Sequence, residues 1–409
     1  MLRAWLFLTA VGFVPVAFAQ PLSFADALVR SQEGPSVTAR AQALEAARRS
    51  IGPAGALPDP QLIVGVENVP ATGPDRFRLD RDEMTMQRIG VMQEMPSFAE
   101  LGARRAMARA EAQRAGAGVE LSRLEARLGA AQAWIGLHYA ERRVAMLARL
   151  EREARALAEA ARGRLAAGGA GVDEAIAAEV EAARLEDRSA EAEASAVAMR
   201  AELRRWIGDA ANDPLSQAAP NFDVNPERLR ERLRRHPALA VYAAETAVAA
   251  ASLSMARAER WPDWSWELAY GRRDPALEDM ASVQVRIGLP LLQPWRQGPL
   301  IDARRADVSR VGAEREAALR EYAALLETQL AQHGALAASV ARARDVRLPL
   351  ARQRAEAAAG AFAAGSLSAS QLIEVRRGVL EAELDLIDLA ERHALIGASL
   401  TLQYPEAAP

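Results

Sequence analysis

The chain has 409 residues with 51 basic and 54 acidic side chains, so its formal charge at pH 7 is -3. This near balance does not predict nucleic-acid binding. The chain contains no cysteine, which excludes a disulfide scaffold, cysteine-ligated zinc, an iron–sulfur cluster and a thiol nucleophile. Aromatic residues are only 5 %, while Ala, Leu, Glu and Arg fill long tracts, a composition typical of extended helices and coiled coils.

The N-terminal segment has the three parts of a secretory signal peptide. Arg3 precedes an apolar run that ends at Phe18, and Ala19 completes a small-residue cleavage site. A membrane anchor is the alternative, but the run is shorter than the ~20 apolar residues of a spanning helix. We predict a signal peptide over 1–19 and an exported chain that begins with Gln20. Since we find no later stretch apolar enough to span, membrane insertion would need something other than helices.

Three short landmarks occur twice in the same order and indicate an internal duplication. They are Leu-Pro-Asp-Pro at 57–60 and Trp-Pro-Asp-Trp at 261–264, Arg-Ile-Gly at 88–90 and 286–288, and Leu-Ala-Ala-Gly at 165–168 and Phe-Ala-Ala-Gly at 362–365. The spacing is nearly constant at about 200 residues. We therefore predict a first repeat over 20–207, a proline-containing linker over 208–226 and a second repeat over 227–409.

The residue pattern within each repeat predicts a helix, then two strands, and then a pair of long helices. The strands are predicted at 61–70 and 84–95 in the first repeat and at 263–272 and 280–291 in the second. The long helices are predicted at 98–167 and 172–207, and at 299–364 and 368–403. The predicted fold class is mainly α with a small β membrane panel, in which long helices pack as antiparallel coiled coils.

The strands of the second repeat alternate between apolar and polar residues, and those of the first repeat do so more weakly. We predict that the apolar face contacts lipid, because about ten residues per strand matches the ~9–11 residues of a tilted bilayer-crossing strand. A soluble sandwich is the alternative. Four strands cannot close a membrane barrel, so several chains must each contribute a panel. The predicted lipid-facing residues are Trp264, Trp266, Leu268, Tyr270, Val283, Val285, Ile287 and Leu289.

Apolar residues recur at steps of three and four along the long helices, which predicts coiled-coil packing. The stripes are Leu147, Leu150, Ala154, Leu157, Ala161 and Leu165; Ile176, Val180, Ala183, Asp187, Ala190, Ala194, Val197 and Ala201; and Leu372, Val375, Val379, Ala382, Leu386, Leu389, His393, Ile396 and Leu400. Glycines predict hairpin tips between paired helices, and Ser368 and Gln371 are spaced as a capping box.

On these features the sequence resembles the TolC-type outer-membrane efflux family along essentially all of its mature length. The resemblance rests on the duplication, the signal peptide and strands, and the tip motif Phe362-x-x-Gly365-x-x-Ser368-x-x-Gln371-Leu372-Ile373-Glu374, which has a degenerate copy from Leu165 to Glu174. Pro58-Asp59-Pro60 followed by Gly65 and Asn68-Val69-Pro70 is similar to the CzcC-like, heavy-metal-efflux branch.

The resemblance implies a homotrimer with a twelve-stranded barrel in outer-membrane lipid and a twelve-helix periplasmic tunnel. It implies a passive conduit for small substrates, with heavy-metal cations among the candidates, and a lipid anchor is not expected because Gln20 replaces the family's cysteine. The implied partners are a periplasmic membrane-fusion adaptor and an inner-membrane pump of the RND class. The hairpin tips expected to dock the adaptor contain Gly168, Gly169, Gly365, Ser366, Leu367 and Ser368.

The resemblance also implies a periplasmic aperture closed by rings of acidic residues. The tip motif places Gln371 and Glu374 at those positions, so one of the two rings is neutral here. Three Glu374 carboxylates in a narrow tube would favour cations, whereas a solvated helix face is the alternative. Asp173 and Glu174 are further candidates, although acidic residues are also favoured at any helix start.

The sequence contains no recognisable catalytic pattern, since it lacks a Ser-His-Asp arrangement and a phosphate loop. Its four histidines, at 138, 236, 333 and 393, lack the spacing of a helical metal pair. The methionines at 84, 86, 92 and 95 could attract soft metal ions, but packing in the barrel or at an interface explains them better. We predict no enzyme, no cofactor and no metal site. The alternatives to a channel are a periplasmic adaptor and an exported coiled-coil protein without a barrel.

Overall fold

The computed structural model describes residues 21–79, 81–169, 171–274 and 276–404. The predicted signal peptide and Gln20 lie outside the described residues. The chain divides into two compact units, each built from both sequence repeats. Among the described residues, the helical unit comprises 21–34, 127–169, 171–223 and 333–398, and the sheet unit comprises 35–79, 81–126, 224–274, 276–332 and 399–404. The division into two repeats stays a prediction, since these units are spatial rather than sequential.

Helices and strands follow the predicted order. The helices are α1 (Phe24–Ser31), α2 (Pro35–Ala54), α3 (Phe98–Ala166), α4 (Val172–Ile207), α5 (Pro226–Arg232), α6 (Pro237–Ala258), α7 (Gln297–Arg342), α8 (Leu348–Ala363) and α9 (Ala369–Gln403). The strands are β1 (Gln61–Glu67), β2 (Met86–Met95), β3 (Trp264–Arg272) and β4 (Met280–Ile287). The predicted fold class of long helices with four strands is confirmed.

The helix predicted over 299–364 is interrupted in the structure. It consists of α7 and α8, which are joined by a π-helical segment at Ala343–Arg347. Pro349 lies at the start of α8 and has no backbone N–H for the carbonyl four residues earlier. The wider hydrogen-bonding pattern of the π segment is the local response to that missing donor.

Alanine-rich contacts hold α3, α4 and α9 together in the helical unit. One cluster joins Ala158 and Ala161 of α3 to Ala175 and Ala178 of α4, with Ile373 of α9 beside them. Because alanine is small, these helices can pack closely. A second cluster along the same helices consists of Leu147, Leu185, Ala192 and Leu380.

The predicted stripes of α3 and α9 are buried or half-buried, whereas the stripe predicted on α4 does not pack within the chain. Every position of its stripe, from Ile176 to Ala201, is exposed in the chain. The helix instead packs through a neighbouring face that contains Ala175, Ala178 and Leu185. Since both faces carry small or apolar residues at helical spacing, the spacing alone does not show which face contacts the chain's own helices.

The sheet unit contains one antiparallel sheet in the order β1-β2-β3-β4. The two hairpins, β1–β2 and β3–β4, meet where β2 pairs with β3, with Met95 opposite Trp264 and Arg88 opposite Gly271. Within the described residues, β1 and β4 are the edges of the sheet and pair on one side only. Both edges therefore present backbone groups that can pair with another strand.

One sequence expectation about membrane helices is wrong. Among the described residues, Pro226–Ala258 is long and apolar enough to cross a membrane by length and composition. Much of the apolar character of this stretch comes from alanine, which makes it less conspicuous in the sequence than a leucine-rich span. It also contains the break between α5 and α6 at Leu233–Arg235. A single helix of this length and composition does not show a membrane span, because core helices of soluble proteins meet the same criteria.

Candidate functional site

The apolar face of the sheet is exposed and runs across all four strands. Leu62, Val91, Leu268 and Val283 form one row, since each lies opposite the next in the strand register. Leu268 is 53 % exposed and Val283 is 73 % exposed. Of the eight predicted lipid-facing residues, Trp266 is half-buried and the other seven are exposed. An exposed apolar surface of this extent requires a non-aqueous environment or a partner.

The opposite face of the sheet carries a ladder of four charged residues. Glu67, Arg88, Glu267 and Arg286 come from β1, β2, β3 and β4 respectively, and each contacts the next. Sequence reasoning missed these residues. The available signal was the alternation itself, which places at least one charged side chain on the polar face of every strand.

Both hairpin tips end their first helix in the same way. At the first tip, the N–H of Gly168 donates to the carbonyl of Leu165 at 3.0 Å, and that of Gly169 donates to the carbonyl of Arg164 at 2.8 Å. Gly168 has a φ of 73°, in the region where glycine has no Cβ penalty. This pattern is a Schellman motif.

The second tip repeats the motif and adds a cap. Gly365 has a φ of 75°, its N–H donates to Phe362, and the N–H of Ser366 donates to Ala361. The predicted capping box is present: the Gln371 N–H donates to Ser368 Oγ at 3.3 Å, and the Ser368 N–H donates to Gln371 Oε1 at 3.0 Å. The Gln371 side chain thus bonds within its own tip.

Arg164 joins the two tips and was not predicted from sequence. Its guanidinium donates to the carbonyl of Gly169 at 3.1 Å and lies 3.0 Å from the Glu174 carboxylate. It also lies 5.2 Å from the centre of the Phe362 ring, within the range of a cation–π contact. One side chain therefore contacts both copies of the repeated tip sequence.

Glu374 is exposed, but its charge has a partner. The carboxylate is 70 % exposed and lies 3.0 Å from Arg377 one turn later on α9. Arg377 also contacts Glu181 of α4 at 2.6 Å, so it is shared by two carboxylates. Asp173 is exposed at the start of α4, and Glu174 contacts Arg164. Glu174 and Glu374 are thus partly neutralised by arginines.

Two histidines that are 60 residues apart in sequence are stacked in the helical unit. The rings of His333 on α7 and His393 on α9 have centroids 4.3 Å apart. Burial lowers the pKa of both imidazoles, which keeps them neutral near pH 7. The part of the chain that the structure describes contains no group of three or more metal-ligating side chains.

Solved structures share this architecture. VceC, an outer membrane protein of Vibrio cholerae, matches with a TM-score of 0.76 at 16 % identity, over 92 % of this chain and 94 % of that one. CusC, described in connection with transmembrane channel formation, matches with a TM-score of 0.75 at 14 % identity, over 92 % and 90 %. The chain has the TolC-type channel fold. At these identities the similarity establishes the fold alone.

A curated relative extends the similarity to sequence. The cobalt-zinc-cadmium resistance protein CzcC of Cupriavidus metallidurans is 30 % identical over 236 residues, which are 56 % of this chain and 55 % of that protein. The matched region spans about half the length of this relative. No family model matches the chain.

Proposed function

We propose that this chain is one protomer of an outer-membrane efflux channel, a passive conduit for small substrates without catalytic activity. The observation that carries the proposal is the open sheet: its apolar face is exposed and each edge strand pairs on one side only among the described residues. A single chain in water would leave both features unsatisfied. Lipid and further copies of the chain satisfy them together.

A closed barrel supplies partners for the sheet edges. β1 of one copy pairs with β4 of the next, and three copies give twelve strands, within the range of outer-membrane barrels. Closure removes the unpaired backbone groups, which would be costly in the bilayer. The exposed face then meets lipid, with Trp264, Leu268 and Val283 among its residues.

The exposed stripe of α4 supports an assembly of several copies. Ile176, Val180 and Val197 are exposed although they follow coiled-coil spacing. The stripe does not pack against another helix of the same chain, because α4 contacts α3 through its other face. A helix from a second copy would bury the stripe, as the helical tunnel of a homotrimer requires.

We also propose the partners. The tips present exposed small residues, Gly168, Gly169, Gly365 and Ser366 among them, and a helical hairpin of a periplasmic membrane-fusion adaptor would dock there. An inner-membrane RND pump would supply the substrate. The similarity to a cobalt-zinc-cadmium resistance protein favours divalent metal cations as cargo, which pass through as substrate and are not held at a resident site.

Fractionation and electrophoresis test the proposal. The protein should sediment with outer membranes, require detergent for extraction, and migrate as a trimer unless it is boiled. Detergent-extracted trimers in a planar bilayer should conduct ions. Recovery of a monomer from the soluble periplasmic fraction would contradict the proposal and favour an adaptor or a coiled-coil protein without a barrel.

A further inference from the structure

Glu267 is a buried carboxylate on the polar face of the sheet. It is only 3 % exposed, although it lies on β3, next to an edge strand. Burial of an ionised carboxylate is costly unless oppositely charged groups and hydrogen bonds compensate it. Arg88 and Arg286 provide that compensation from the strands on either side.

The contacts form a continuous ladder across the sheet. Arg88 Nη2 donates to Glu267 Oε1 at 2.6 Å, and Arg286 Nη2 donates to Glu267 Oε2 at 3.1 Å. The other terminal nitrogen of Arg88 donates to Glu67 on β1. Each strand thus contributes one charge, the signs alternate, and the two arginines balance the two glutamates.

Small residues make room for Arg88 on this face. In the strand register Arg88 lies opposite Gly65 on one side and Gly271 on the other. Gly90 follows on the same face, where a Cβ would lie 2.8 Å from the Cβ of Ala269. The long Arg88 side chain therefore reaches the next charged residue along the sheet without meeting a bulky neighbour.

We propose that this ladder determines the ion selectivity of the barrel, by placing a charge-balanced band on its lumen wall. The inference rests on the proposed function, because only a closed barrel with its apolar face in lipid turns the ladder towards an aqueous lumen. Rings of fixed charge set which ions pass a pore, and a balanced ring favours neither sign. Glu94 is also exposed on this face. Its negative charge is the same in the wild type and in every charge variant, so it does not affect the comparison between them.

Three charge variants test the inference in planar bilayers under a KCl gradient. Glu267→Gln leaves the ladder with one uncompensated arginine per chain, so the cation-to-anion permeability ratio should fall by about twofold or more. Arg88→Gln leaves one uncompensated glutamate and should raise that ratio by a similar factor. The double variant Arg88→Gln/Glu267→Gln is balanced again and should return to the wild-type ratio.

The double variant is the matched control for structural damage, because it removes more contacts than either single variant. Glu67→Gln is a second test and should also lower the cation-to-anion permeability ratio, as Glu267→Gln does. The Glu67 side chain is 43 % exposed, so this substitution should disturb the fold less. If wild-type trimers conduct but no variant changes the permeability ratio, or all shift it in one direction, the inference is wrong. Wild-type trimers that do not conduct would instead contradict the proposed function.

Discussion

The sheet unit and the helical unit distribute their charges in opposite ways. In the sheet unit the charged ladder lies on one face, buried at Glu267, while the other face exposes large apolar side chains. In the helical unit the clusters of buried residues are mainly alanine and leucine, and many charges form ion pairs nearer the surface, such as Arg162 with Glu179 and Arg347 with Asp385. This difference is what the proposed function requires, with lipid against the apolar face of the sheet and water around the helices.

The strongest test of this contrast places a charge on the exposed apolar face. Leu268→Arg should abolish trimer insertion, since a basic residue at the bilayer midplane of a barrel costs about 2–4 kcal/mol per chain. Ser282→Arg is the matched control, because Ser282 lies on the polar face of the neighbouring strand. Heat-modifiable migration of outer-membrane fractions measures the outcome. Equal trimer yields from the two variants would show that this face does not meet lipid.

A glycine substitution tests the hairpin tips of the helical unit. Gly365→Ala should destabilise the unit by about 1–2 kcal/mol, because its φ of 75° is unfavourable for any residue with a Cβ. Gly378→Ala is the control: this glycine lies inside α9 and a Cβ there would meet no atom within 4 Å, so alanine should be neutral or stabilising. Thermal unfolding of both proteins in detergent measures the difference. Similar transition temperatures would mean that the Schellman turn contributes little.

Two substitutions at the second hairpin tip test whether ion pairing reduces the effect of acidic side chains on the ion preference of the proposed channel. Glu374→Gln should lower the cation preference of the channel by less than about twofold, because Arg377 already neutralises much of that carboxylate. Arg377→Gln removes the Arg377 contact from both Glu374 and Glu181 and leaves Glu181 only its 3.9 Å contact to Arg184, so it should raise the cation preference more strongly. Single-channel recordings of the two variants measure the order of effects. Identical recordings for both would remove these residues from the aperture.

The smallest expected effect is a pH dependence from the stacked histidines. Their pKa values are lowered by burial, so the unfolded chain binds protons more readily than the folded chain as pH falls through the ordinary histidine range. The free energy of unfolding should therefore have its full value near pH 7 and should decrease as the pH falls below about 6.5. Thermal unfolding at pH 7 and pH 5 measures this, with His393→Leu as the comparison. A variant with unchanged pH dependence would exclude the pair as its source.

Much of the fold was predictable because its signals are local. Alternation located the strands, and Gly168, Gly365 and the Ser368–Gln371 pair predicted turns and a cap that depend on a few neighbouring residues. The resemblance added the arrangement of sheet and helices, which local patterns do not contain.

Most of what the sequence did not predict involves contacts between distant segments. The stripe of α4 has correct spacing but faces away from α3, and His333 meets His393 only because α7 and α9 pack together. The contact between Arg88 and Glu267 likewise depends on the register of β2 against β3. Spacing within one element does not determine which side chains of another element it meets.

The central pairing of β2 with β3 has a consequence for how the protein is made. These strands are about 170 residues apart in the chain, so their pairing closes a very long loop and is intrinsically slow. In the export that the proposed function requires, the hairpin of β1 and β2 emerges first and has to wait for the second half of the polypeptide. In that interval its unpaired apolar strands are prone to aggregate, so biogenesis should depend on a periplasmic chaperone that shields them until translocation is complete.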